Sequence, residues 1–449
     1  MSRAYPSFVA GARSVAFVVF GSLVMLLAAR SVAHAHASLV SSEPAANAHL
    51  SVSPTRVRLL FSEETEPTLA RLSLVADDGT ATRLVVAGDL HDVNAIVAPI
   101  GPLAPGSYRL VWRVVSADGH PVEGSIVFWI GDSAAQPPPV APAALNVPST
   151  WGPTVIGAPV VPATLRGLGL GSLMALAGLL FCLSWPRDAS EPAQRSPARL
   201  ATRLSIAAAI LLVLHLCAWI MNATPDHRLW SDSTSALLAS SIGKIELWRT
   251  GLAMLALWAL ALARRQRLAL LFAIAALAVS GASGHSAAID PVWTEPARAL
   301  HLLAGAAWLG SLLYLVSYDR DASGTFARDA SRVSTIALVG AIIVILSGVL
   351  QALLFLSSPG DLFSSAYGTV LLAKIVGFLI LVAFGAHHRY RILPRLAHDA
   401  TISGRFTATV RSEVAVMAIV VLLGGLLAYV SPPHHSVAHS SSHVHTSDQ

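Results

Sequence analysis

Residues 31–43 read SVAHAHASLVSSE and follow directly on an apolar run from Val15 to Ala29. Arg3 and Arg13 precede that run, and Ala33-His34-Ala35 closes it as a small-x-small cleavage signal, so residues 1–35 read as a cleaved signal peptide. Cutting after Ala35 would make His36 the first residue of the mature chain. An α-amino group and an imidazole on one residue can grip a metal ion together, because both donors are neutral at about pH 7 to 8. Everything after this cut is read as exported until the chain meets a membrane.

The chain has 449 residues, 54% hydrophobic and 12% charged, with a mean hydropathy of +0.63. An ordinary soluble domain carries about 25% charge. Repeated apolar runs from residue 166 onward therefore mark a membrane protein. The formal charge of +5 is unevenly placed: His36–Asp132 holds 6 Arg against 11 Asp or Glu, a net −5. The arginine surplus lies in the signal and the membrane part, which argues against a nucleic-acid partner. An acidic exported domain suits a cationic ligand. The only cysteines, Cys182 and Cys217, sit inside apolar runs, so the exported domain has neither a disulfide nor a thiolate metal site.

Strand signals dominate residues 36–132. Arg56–Phe61, Ala70–Val75, Thr82–Val86, Ser107–Val115 and Val122–Ile130 are short and rich in Val, Leu and aromatics. Turn chemistry separates them at Asp77-Asp78-Gly79, Ala104-Pro105-Gly106 and Ala117-Asp118-Gly119. Six or seven such strands predict an all-β antiparallel sandwich with Greek-key connections.

The residues here that could carry chemistry are His36, Glu63, Asp118 and His120. Asp118 and His120 flank one Gly at the turn between the two longest strands, a spacing that can aim a carboxylate and an imidazole at one point. With His36 the set is two imidazoles, an amine and a carboxylate, which favours Cu(II), with Zn(II) the competitor. Taken alone, Asp118-Gly119-His120-Pro121 reads first as a plain hairpin turn.

Three segments resemble the exported copper-binding domain family called CopC: His36–Ala45, Leu60–Glu63 and Trp112–Gly124. The resemblance spans residues 36–130, with the motifs in order. It implies a cupredoxin-like or Ig-like sandwich in which His36, Asp118 and His120 bind Cu(II), with Glu63 beside the site or as an occasional ligand. It also implies the same cleavage point. Some members hold a second, Met-rich Cu(I) site, but no Met occurs between Met25 and Met174, so one Cu(II) site is expected here. His49 and His91 read as solvated loop residues.

Residues 133–165 begin SAAQPPPVAPAALNVPST, a Pro- and Ala-rich spacer that hangs the first domain beside the membrane. Residues 166–430 read as an all-α polytopic membrane domain of about eight transmembrane helices: 166–184, 199–221, 246–263, 267–283, 298–317, 333–356, 369–387 and 411–430. With the first domain outside, the cytoplasmic connections hold 15 arginines and the outer ones only Arg228, Lys244 and Arg298. That orientation fits a bacterial inner (cytoplasmic) membrane, with the N-terminal domain and C-terminal tail on the periplasmic or extracellular side.

Polar groups inside apolar spans mark function. His215, His285 and His301 fall at similar outer depth on the second, fourth and fifth spans, a candidate membrane copper path with Met221 or Met254 as softer ligands. Lys374 and Glu413 are the other buried charges singled out. This region resembles the CopD-type copper resistance membrane family at Gly284-His285, His301–Gly310, Gly348, Tyr367-Gly368 with Lys374, Arg389 with Pro394, Arg411 with Glu413, and Pro432-Pro433. Where relatives often carry Asn, this chain has His387-His388, read as a polar end cap in preference to an exit ligand.

The resemblance implies copper transport and copper homeostasis or resistance, and fused chains resemble the import type. No Walker A or phosphorylation-loop motif is present, and no nucleophile–base constellation, so the chain reads as a non-enzyme. Import of Cu(II) into a compartment that holds Cu(I) implies a reduction step, hence a copper reductase or chaperone as partner. Residues 431–449, SPPHHSVAHSSSHVHTSDQ, read as a His-rich, metal-gathering tail. Two other readings stand beside transport: a copper sensor or store, and a haem-binding electron-transfer protein using His215 and His301.

Overall fold

The computed structural model describes residues 39–62, 64–115, 121–131, 154–155, 158–185, 195–224, 226–283, 291–318, 325–356, 358–396 and 402–430. Among the described residues, nine strands form the first domain: β1 Leu39–Glu43, β2 Ala48–Leu50, β3 Arg56–Phe61, β4 Arg71–Ala76, β5 Ala81–Leu84, β6 Ala87–Gly88, β7 Ala95–Pro99, β8 Gly106–Val115 and β9 Pro121–Ile130. They make two sheets, in the orders β1-β3-β7-β6 and β2-β9-β8-β4-β5.

Strand β3 shows why the sheets close on one another. Val57, Leu59 and Phe61 are buried while the intervening Arg56, Arg58 and Leu60 are not, the period of two expected of a half-buried strand. Those side chains meet Leu72, Leu110, Trp112 and Phe128 of the other sheet in one apolar cluster. The backbone of the second sheet rests on β8 and β9, paired over ten rows from Gly106↔Ile130 to Val115↔Pro121. Gly124 lies opposite Trp112, and a Cβ there would overlap the indole, so the ring needs glycine beneath it.

One pair departs from the antiparallel expectation: β2 runs parallel to β9. Asn47 takes a left-handed φ of 63° and its amide donates to the Val127 carbonyl at 2.7 Å, which turns the chain and lays β2 along β9.

The membrane domain begins earlier than its hydropathy indicated. Helix α1 spans Val160–Leu183, followed by α2 Arg195–Ala223, α3 Asp232–Ala239, α4 Ser241–Ala261 and α5 Gln266–Val279. Then come α6 Pro291–Val316, α7 Phe326–Phe355, α8 Ala366–His387 and α9 Ile402–Leu427, with α8 running on through a π-helical turn, His388–Ile392. Among the described residues, six helices are long and apolar enough to cross a membrane. Of the eight expected, α4 and α5 fall short. Helix α4 carries Lys244, Glu246 and Arg249 within 21 residues, and α5 with its 3-10 extension ends after 17.

Helices α1 and α6 cross at backbone contact. A Cβ on Gly178 would overlap the Ala306 carbonyl, and one on Gly310 the Gly178 backbone, the close approach small residues permit in membranes. Outward, Val339, Ile342, Leu346, Val349 and Leu353 of α7 stay exposed at roughly heptad spacing, an apolar stripe for lipid.

The two domains touch. Leu69 and Val115 of the sandwich pack with Trp219, Ile220 and Leu237 of α2 and α3. Arg113 Nη2 donates to the Asn222 carbonyl at 3.1 Å, and Arg71 Nη2 to Ser233 Oγ at 3.2 Å.

Candidate functional site

His36, Glu63, Asp118 and His120 lie outside the described residues, as does His285. The described residues that flank the first four converge at one end of the sandwich. Leu39 pairs with Phe61, the Glu66 amide donates to the Val115 carbonyl at 2.8 Å, and Val115 pairs with Pro121. This is the end that touches α2 and α3. Beneath it, Arg113 is fully buried and lies 3.7 Å from Glu123. Burial pushes the Glu123 carboxyl up while Arg113 and His227 pull it down, and burial lowers the Arg113 guanidinium.

Of the two other histidines of this domain, His49 sits at the opposite end, while His91 lies in the turn between β6 and β7 at this same end, where the Phe61 amide donates to the Asn94 carbonyl at 3.0 Å. His49 is an exposed residue of strand β2, not of a loop, and stacks on Trp129 at 4.7 Å between ring centroids. His91 is exposed beside the turn where its amide donates to Asp89 Oδ1 at 3.0 Å.

At the bundle end facing the sandwich, a buried polar cluster gathers on several helices. Glu246, 1% exposed, lies 3.4 Å from His215 Nε2 and 3.8 Å from Arg166 Nη1, and accepts from Arg249 Nη2. His215 Nδ1 lies 3.1 Å from the Pro162 carbonyl, and Arg166 Nη2 donates to Ser283 Oγ at 2.8 Å. Arg298 donates to the Ser283 carbonyl, so helices α1, α2, α4 and α6 meet through charge. His301 is turned elsewhere, its Nδ1 3.0 Å from Ser347 Oγ of α7. The two described histidines of the candidate path thus have different partners. Among the described residues no group of three or more His, Cys, Asp or Glu is placed to hold a metal ion.

Sequence reasoning passed over Arg166, Glu246, Arg249 and Arg298. The available signal was Glu246 and Arg249 at i and i+3 inside an apolar stretch, where an unpaired charge would be costly.

A second polar group lies in the half of the bundle away from the sandwich. Glu413 is 1% exposed; its Oε1 accepts from Trp308 Nε1 at 3.2 Å and its Oε2 is 3.1 Å from His388 Nδ1. His388 is buried within a helix that continues to Leu396, which corrects the end-cap reading. Both residues line a cavity of about 250 Å³ with Trp308, Arg389 and Tyr390.

Residues 39–131 match the CopC domain family; residues 158–294 match the copper resistance protein D-like N-terminal domain, and 327–427 copper resistance protein D. Copper resistance protein C of Pseudomonas syringae pv. tomato is 35% identical over 119 residues, 25% of this chain and 92% of that protein. The chain is a CopC–CopD fusion. The copper transport protein CutJ of Bacillus subtilis is 26% identical to the fusion over 438 residues, 92% of this chain and 77% of that one. The crystal structure of CopC from Methylosinus trichosporium OB3b is 32% identical, covering 21% of the fusion and 93% of that chain with a TM-score of 0.21. The CopC–CopD fusion is therefore a membrane protein with a role in copper handling.

Proposed function

We propose that this CopC–CopD fusion captures Cu(II) on the exported side and passes copper inward through its helix bundle. His36, Asp118 and His120 are the ligands, His36 through both its amine and its imidazole, with Glu63 beside them. The observation that carries this reading is the docking of the sandwich. The residues flanking all four side chains sit at the end held to α2 and α3 by Arg113, Arg71, Leu69 and Val115. A captured ion is thereby released close to the bundle rather than at the reach of a loose tether. The name of the relative CutJ, a copper transport protein, supports the same reading.

In this account α4 and α5 also cross the membrane, as they pack against α3, α2 and α1 within the bundle, giving eight crossings. The arginine-rich connections face the cytoplasm of a bacterial inner membrane, and the sandwich and His-rich tail face outward. Copper then enters past His215, His285 and His301. Reduction to Cu(I) is supplied by a separate reductase or chaperone, and the tail gathers metal loosely.

The exported site is tested by titrating residues 36–132 with Cu(II) and following the paramagnetic spectrum. The expected result is one tight site with nitrogen couplings that disappears in His36→Ala. Two sites of equal affinity, or a site indifferent to His36, would refute it.

A further inference from the structure

The His388–Glu413 contact holds an unusual electrostatic problem. Thr409 Oγ1 donates its single proton to the Phe406 carbonyl at 2.8 Å, so toward His388 Nε2, 2.9 Å away, it can only accept. The proton of a neutral His388 therefore sits on Nε2, and Nδ1 presents a lone pair. That lone pair faces Glu413 Oε2 at 3.1 Å, an oxygen that has no hydrogen-bond donor. Two buried acceptors aimed at each other repel unless a cation lies between them.

The rest of the pocket holds both donors in place. Trp308 Nε1–H fixes the other carboxylate oxygen, and Thr409 fixes the far side of the imidazole, the outer partners that orient metal ligands. Two donors each about 2 Å from one ion, on neighbouring coordination positions, stand about 3 Å apart. The separation here is of that size. The pair sits where α8 leaves α-helical geometry for a π-helical turn, a distortion frequent at functional sites. The cavity beside it gives an ion room to approach.

We propose that His388 Nδ1 and Glu413 Oε2 form a cation site in the half of the bundle away from the sandwich, where a transiting copper ion is held between the two. The proposal rests on the reading that copper crosses the bundle. Copper takes the Nδ1 lone pair on one side and a lone pair of Oε2 on the other. No electron moves. The other titratable or charged groups facing the pair are Arg389 and Tyr390 at the cavity wall and His387, whose ring centroid is 6.2 Å from that of His388. Arg389 is turned to Ser334 Oγ at 3.2 Å, and its fixed charge disfavours a second cation in the same cavity.

The test uses the full chain in detergent, titrated with Cu(II) alone. The unaltered chain is expected to bind one more copper than Glu413→Gln or His388→Gln. Thr409→Val touches neither donor and is expected to keep the site at 10- to 100-fold lower affinity. It carries the test if either donor variant unfolds. Equal copper counts in all chains, or an unchanged affinity in Thr409→Val, would overturn the proposal. Sealed vesicles made with the same variants separate the two claims. Binding as expected without copper movement would keep the site and refute transport. Movement unaltered in both donor variants would refute the site.

Discussion

Arg113, buried in β8, one of the two longest strands of the sandwich, donates to the backbone carbonyl of Asn222 near the end of α2. A cation with almost no exposure thus joins the two domains through a backbone carbonyl near a helix end. The contact makes the sandwich a docked cap, and it is the joint that copper transfer in this account depends on.

Replacing Arg113 by Ala should loosen that joint. A buried, charge-assisted hydrogen bond contributes about 1.5–3 kcal/mol, so local opening should become at least about tenfold more frequent. Hydrogen exchange at the amides of Leu69, Ala70 and Val115 would report it. Unchanged protection there would mean the domains are held by Leu69, Val115 and Trp219 alone.

Gly124→Ala should destabilise the sandwich by about 1–3 kcal/mol, because the new methyl group overlaps the Trp112 ring in a closed core. Relatives whose whole length is one such domain make residues 36–132 a sensible fragment for denaturant unfolding. A Trp112→Phe partner substitution should recover part of the loss.

In the bundle, Gly178→Val should prevent α1 and α6 from meeting, since the obstacle is backbone rather than a movable side chain. The expected outcome is loss of the monodisperse folded protein in detergent, while Gly385→Val, which meets nothing within 4 Å, should leave it intact.

Acid should weaken the sandwich through Asp89. Arg58 Nε donates to its Oδ2 at 2.6 Å, and with the His91 amide this holds the Asp89 carboxyl below the usual carboxylate range. A lowered folded-state value means the contribution is complete above about pH 4 and is lost as pH falls through that value. Unfolding of residues 36–132 in Asp89→Asn should show a smaller drop in stability between neutral and acid pH than the unaltered domain. An equal drop would assign the acid sensitivity to other carboxylates.

Much of the sandwich was readable because its long strands are rich in Val, Leu and aromatics. Arg56–Phe61 coincides with β3, and the β8–β9 hairpin is within a residue of its expected bounds. Strands β2 and β6, with Ala, His, Leu and Gly, carry no such enrichment, and the parallel pairing of β2 depends on a left-handed Asn47 that composition does not announce. The membrane domain was harder. Apolar windows find helices that face lipid, but α4 places Glu246 and Arg249 inward, where they answer Arg166 and His215 from other helices. Such pairing depends on tertiary contact, so residue spacing marks Glu246 as an interruption and not as a centre. His388 was misread for the same reason: its partners, Thr409 and Glu413, come from a separate helix.

The measurement closest to the central claim is the copper content of cells that express this chain at fixed external copper, compared with His36→Ala and His215→Ala versions. The account expects more cell copper with the unaltered chain and a return to background in both variants. Equal copper in all three, or less with the unaltered chain, would contradict inward passage from the exported site through the bundle.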